Sequence, residues 1–253
     1  MKNKVRMQDL LCIIILLFIQ FGYTQNKNLE KSKYNIKVGP NIHVSNNADY
    51  PHSETMIAAH PTNPDNLIVG AMTHASPARY GFPYVSLDGG YTWQRGNLPD
   101  TRHGLIGVDP QVAFGITGTA YFVNMVFEKD VKNSMFFYRS SDGGVNWSKG
   151  VELNLEKEGN VLYDHPQIVV DHSNGPHRGA IYISLVNFKL DRKELENGVD
   201  GNSITVLKST DDGKTFQRVA NAASYGFNGL GGSISAPPLV FEDSELFCPT
   251  HGV

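Results

Sequence analysis

Short apolar runs alternate with clusters of Gly, Pro, Asn and Asp along almost the whole chain. The runs are rich in Val, Ile, Phe, Tyr and Thr, the residues that suit a pleated and buried backbone. They predict strands at residues 55–59, 66–72, 84–86 and 92–95. A second set follows at 111–114, 120–127, 135–140 and 146–149, and a third at 167–171, 180–187, 203–209 and 215–219. No stretch after the N-terminal segment keeps a helical period, apart from a short helical turn expected within 189–197.

Each set of four ends in one octapeptide pattern, Ser-x-Asp-x-Gly-x-x-aromatic. The three copies are Ser86-Leu-Asp-Gly-Gly-Tyr-Thr-Trp93, Ser140-Ser-Asp-Gly-Gly-Val-Asn-Trp147 and Ser209-Thr-Asp-Asp-Gly-Lys-Thr-Phe216, with starts 54 and 69 residues apart. The chemistry is that of a turn lock. The Asp carboxylate accepts backbone N–H groups further on, and Gly supplies positive φ. The Ser hydroxyl adds a local bond, and the aromatic ring anchors the turn in the sheet. Asp88, Asp142 and Asp211 are therefore expected to be structural. Four-stranded units at a period of about 50 residues point to the blades of a propeller. The longer third spacing fits a polar insertion at 189–202, and a fourth repeat begins at Ser235.

The first 25 residues read as a secretory signal peptide. Lys2, Lys4 and Arg6 precede an apolar run at 10–19 that is too short to span a bilayer. The remainder, 26–253, is then one partial propeller domain, secreted or held at the cell surface and free of the membrane after cleavage. The leader carries those three cations against Asp9, a net +2, so the formal charge of −3 becomes −5 on its removal. A mildly acidic chain without a basic stripe is a poor nucleic-acid binder. Cys248 is the one cysteine left, so stability must come from packing.

The octapeptides resemble the Asp-boxes, or BNR repeats, of bacterial sialidases and related secreted propellers. Asp109-Pro-Gln, Asp164-His-Pro-Gln and Gly175-Pro-His-Arg-Gly-Ala-Ile-Tyr182 are similar to segments of bacterial sialidase-family proteins, and the likeness extends over 42–247. It implies an all-β, sialidase-like β-propeller of four-stranded antiparallel blades, here incomplete with about three to four blades present. An open edge of that kind is expected to make the isolated chain poorly soluble. The alternating residues 34–45 are expected to supply a strand of a closing blade.

The boxes fall on one face of such a disc. The connections between blades, and those between second and third strands, fall on the other, which is where sialidase-like enzymes bind substrate. The loops expected there are 47–53, 73–83, 100–111, 127–134, 160–167, 188–202 and 226–238. They carry Asp49, Arg79, Arg102, His103, Asp109, Asp164, His165, Asp191 and Arg192. The catalytic candidates are Asp109, Asp164, Arg79 and Arg102. Glu54, Asp109 and Asp164 are expected at equivalent positions at the mouths of the innermost strands. Carboxyls converging there would repel and keep one protonated, as general-acid chemistry requires. The plainer reading has Asp109 and Asp164 capping turns before Pro110 and Pro166. The arginines would pair with a sugar carboxylate through two parallel hydrogen bonds.

The chain also departs from the family. The Phe/Tyr-Arg-Ile-Pro segment that supplies a first arginine is replaced by Val38-Gly-Pro-Asn-Ile-His-Val44. The late arginines and the Tyr nucleophile belong to C-terminal blades, so no family catalytic residue maps onto a matched motif. No cofactor is expected, and no metal, because the histidines lack ligand spacing. Three functions remain. They are an exo-glycosidase of sialidase type acting on sialylated or other extracellular glycans, a non-catalytic propeller that binds glycan or protein, and a repeat module of a larger surface protein.

Overall fold

The computed structural model describes residues 38–46, 50–75, 78–99, 106–127, 133–153, 161–189, 202–223, 233–235 and 237–252. The leader at 1–25 and residues 190–201 of the expected insertion lie outside them. Among the described residues no helix is long and apolar enough to cross a membrane.

The first blade comprises β1 (His52–Ala59), β2 (Leu67–Ala75), β3 (Ala78–Ser86) and β4 (Gln94–Arg95). The second comprises β5 (Ile106–Phe114), β6 (Ala120–Phe127), β7 (Asn133–Ser140) and β8 (Val151–Glu152). The third comprises β9 (Val161–Val170), β10 (Ile181–Lys189), β11 (Asn202–Ser209) and β12 (Gln217–Ala223). Each is a four-stranded antiparallel meander, paired in chain order. A further hairpin follows. In it β13 (Ser233–Ser235) pairs with β16 (Thr250–Gly252), and β14 (Leu239–Val240) pairs with β15 (Leu246–Phe247). These are the first two strands of a fourth repeat.

The blades stack face to face, which explains why their second strands are apolar on both sides. Of Ala120–Phe127, every residue but the last is buried. Phe122 of β6, with Phe136 and Tyr138 of β7, packs against Ile68 and Val85 of the first blade. Tyr121, Val123 and Phe137 pack the other way, against Ile181, Ile183, Leu185 and Leu207 of the third. The third blade then covers Val240 and Leu246 of the last hairpin through Tyr182, Val186 and Ile204. The first strands of successive blades lie against each other, β1 on β5 and β5 on β9.

All three octapeptides form the hairpins between third and fourth strands, as the turn-lock reading requires. In each, the Ser hydroxyl donates to the Asp carboxylate at 2.7–2.8 Å and accepts the N–H of the box's second Gly-Gly or Asp-Gly position at 2.8–2.9 Å. The Asp oxygen accepts the N–H four residues on, at Thr92, Asn146 or Thr215, each at 2.9 Å. The indoles of Trp93 and Trp147 donate to the Gly90 and Gly144 carbonyls at 2.9 Å.

Several strand limits differ from the expected ones. Apart from β6, the first three strands of each blade run further toward the face opposite the boxes. The loop expected at 73–83 is mostly the paired ends of β2 and β3, with His74 opposite Arg79. The outermost strands are displaced: β8 begins at Val151 rather than 146, and β4 is two residues long. Of the residues 34–45 expected to supply a strand, 38–45 form none, and 34–37 lie outside the described residues. Val44 instead packs against Val69, Ala71 and Tyr84 of the first blade.

Candidate functional site

Every complete blade carries the same irregularity in its first strand. In β1, Ser53 pairs with Met72 but Met56 with Gly70. In β5, Val108 pairs with Met125 but Gln111 with Val123. In β9, Asp164 pairs with Val186 but Gln167 with Ser184. Two residues therefore oppose one, which is a β-bulge. The first bulged residue is left-handed in each case: Glu54 at φ 52, Asp109 at φ 49 and His165 at φ 45. Such a backbone costs about 1 kcal/mol for a residue with a side chain. In β5 and β9 the next residue is Pro110 or Pro166, which has no N–H to give to a ladder and so belongs at a bulge. Thr55 takes that place in β1, so proline favours the bulge without being required for it.

This register corrects the expected equivalence. His165, not Asp164, matches Glu54 and Asp109. The Pro-Gln that follows both Asp109 and His165 was the available signal. Neither Asp109 nor Asp164 stands in a loop, since both lie within strands. Their roles also differ. Asp164 Oδ1 accepts the N–H of His165 at 3.0 Å, so it is the capping residue foreseen by the plainer reading. In the second blade the corresponding N–H, that of Asp109, is capped from the preceding blade, by Glu54 Oε2 at 2.9 Å. Val108 holds the position that Asp164 holds in the third blade, and its side chain has no acceptor.

The Asp109 carboxyl is thereby left for the cluster. Its side chain is 9% exposed, against 33% for Asp164 and 45% for His165. His165 turns Nδ1 toward Asp109 Oδ1 at 4.0 Å and Nε2 toward Asp164 Oδ2 at 3.8 Å. Burial, together with the neighbouring Asp164 and Glu54, pushes the Asp109 carboxyl up to about 8. At neutral pH Asp109 thus retains its proton.

Asp109, Asp164 and His165 present ligand atoms within 4.8 Å of one another and could hold a cation. The imidazole, however, turns a different nitrogen to each carboxylate. That arrangement suits a separate contact with each carboxylate better than ligation of one ion.

Of the remaining candidates, Arg79 lies on β3 rather than in a loop, and its side chain is outside the described residues, as is the whole of Arg102. Asp49, His103, Asp191 and Arg192 are outside them too. Sequence reading passed over one neighbouring group, the pairing of Ser53 Oγ with His74 Nε2 at 2.7 Å beside Glu54. No local motif marks a contact between residues 21 apart.

A BNR/Asp-box repeat model matches residues 84–95, which span the first octapeptide. No curated protein matches the sequence. Among solved structures, a protein of unknown function from Dyadobacter fermentans DSM 18053 is similar at a TM-score of 0.52 and 15% identity. The match covers 83% of this chain and 65% of that one. The GH93 α-L-arabinofuranosidase of Fusarium graminearum, in complex with arabinobiose, is similar at a TM-score of 0.50 and 17% identity, over 76% of this chain and 54% of that one. The chain spans less than two thirds of the length of either. It has the propeller fold of these proteins over part of their length and carries the BNR/Asp-box repeat.

Proposed function

We propose that this chain belongs to an exported propeller that processes extracellular glycans, with the Asp109–Asp164 carboxyl pair as its proton donor. One observation carries the reading. Carboxyls from three successive blades meet on the face opposite the boxes, and the central one is buried among the others. A buried carboxyl that holds its proton at neutral pH is what protonation of a glycosidic oxygen needs. Asp109 holds the proton, and Asp164 is the more exposed member, on the side that meets the ligand. The two carboxyls, with atoms within 4.8 Å, are closer than the roughly 6.5–9.5 Å of an inverting pair, so they do not form one by themselves. A nucleophile or base comes from elsewhere on the same face.

The substrate class is an extracellular glycan, sialylated or otherwise. The arabinobiose complex of the Fusarium graminearum enzyme adds furanosides to the set worth testing. A panel of fluorogenic α-sialosides, α-L-arabinofuranosides and common pyranosides decides. Hydrolysis of one member, lost by about 100-fold or more in Asp164→Asn, supports the reading. Binding of a glycan without hydrolysis, abolished by the same substitution, would instead make this a non-catalytic lectin-like propeller. Absence of both hydrolysis and binding removes the glycan reading.

A further inference from the structure

Glu54 stands outside the pair just assigned, yet it touches the pair's buried member. It is the first bulged residue of β1, it is exposed, and it occupies the place that Asp109 and His165 hold in β5 and β9. Its side chain crosses the blade boundary to accept the Asp109 N–H at 2.9 Å. The corresponding N–H in the third blade is capped by the residue immediately before it, Asp164. Val108 provides no such cap in the second blade, so the contact has to come from another strand.

Resting on the proton-donor reading, we infer that Glu54 is a positioning residue. Its carboxylate fixes the left-handed bulge that turns Asp109 into the cluster, and it sets a second negative charge beside that buried carboxyl. Shape and charge thus come from one side chain. The bond to the N–H holds the backbone of Asp109, and hence the direction of its Cβ. The charge disfavours loss of the Asp109 proton. That matches the upward displacement of Asp109, to which burial, Asp164 and Glu54 all contribute. The titratable groups facing Asp109 among the described residues are Glu54 from β1 and Asp164 and His165 from β9. From β2 and β6 the neighbours packed with Val108 are the thioethers of Met72 and Met125, which carry no charge.

Two substitutions in the full chain separate the two effects. Glu54→Gln keeps an oxygen for the Asp109 N–H and removes the charge, whereas Glu54→Ala removes both. In Glu54→Ala, hydrogen exchange at the Asp109 amide is expected to accelerate at least about tenfold. In Glu54→Gln it stays near the parent rate, while the Asp109 carboxyl, followed by 13C NMR, titrates about one unit lower. Unchanged exchange in Glu54→Ala, or an unmoved midpoint in Glu54→Gln, overturns the inference. If a variant fails to fold, the parent protein decides. Its Asp109 amide should be protected from hydrogen exchange by the bond to Glu54, and exchange at the rate of an unbonded amide overturns the contact. None of these readouts needs a substrate. Loss of the glycan reading therefore leaves them standing, and their failure leaves the hydrolysis assay untouched.

Discussion

The side-chain amide of Asn66, in the first blade, donates to the carbonyl of Gly143, inside the octapeptide of the second, at 2.9 Å. The same nitrogen also reaches the Ser86 carbonyl at the start of its own blade's box, at 3.2 Å. One buried amide, 3% exposed, thus ties two boxes together across a blade boundary. Gly143 fits there because its φ is 77 and because a Cβ would stand 2.6 Å from Asn66 Oδ1.

Asn66→Ala should therefore act on the interface as well as on one blade. It leaves two carbonyls without their donor and is expected to cost about 1–3 kcal/mol. The check is a lower denaturant midpoint with an unchanged slope. A variant within about 0.5 kcal/mol of the parent would mean that the contact contributes little.

The third box uses a different link. Asp212 replaces the glycine found at this place in the other two boxes, and it keeps the left-handed backbone at φ 64. Its carboxylate accepts from Tyr121 Oη and pairs with Arg139, both of the second blade. Asp212→Gly removes strain of about 1 kcal/mol but loses both partners. The two charged side chains are partly exposed, at 30% and 39%, so their pairing is worth less than a buried one. The expected balance is a net loss of up to about 1 kcal/mol. A gain in stability on this substitution would show that the carboxylate contributes nothing across the boundary.

Acid and base should act on different parts of the molecule. Bonds from Thr92 and Ser86 hold the Asp88 carboxyl down at about 2. Those from Thr215 and Ser209 hold Asp211 well below the usual carboxylate range. Burial opposes the bonds from Asn146 and Ser140 at Asp142, and the bonds win. Groups lowered on folding stabilise the fold above their ordinary value of 3.8 and lose that contribution as pH falls through the folded value. Asp109 is raised instead. Its stabilising effect is complete below 3.8 and is lost as pH climbs to about 8.

Asp109→Asn mimics the protonated form and tolerates the left-handed backbone. It should melt close to the parent at about pH 4 and be more stable by at least about 2 kcal/mol at about pH 8. An equal difference at both pH values would contradict a retained proton.

The boxes were legible in sequence because every bond that closes them spans four residues or fewer, as between Asp142 and Asn146. Strand β6 was legible to the residue, because burial on both faces leaves an unbroken apolar run. The fourth-strand limits were not, since β4 and β8 are two-residue edges with little apolar content. The carboxyl cluster was half legible. Asp109 and Asp164 stood out beside their prolines, but the bulge that sets His165 opposite Asp109 depends on pairing with β10, and Glu54's reach to Asp109 joins residues 55 apart. The links through Asn66 and Asp212 are of the same non-local kind, and no local pattern announces them.

The candidate site depends on a proton held by a buried carboxyl where three blades meet. Selective 13C labelling of aspartate carboxyls, with Asp109 assigned through Asp109→Asn, reads that proton directly between about pH 3 and about pH 10. A midpoint near 8 is expected for Asp109. A midpoint in the ordinary aspartate range, near 4, would contradict the account.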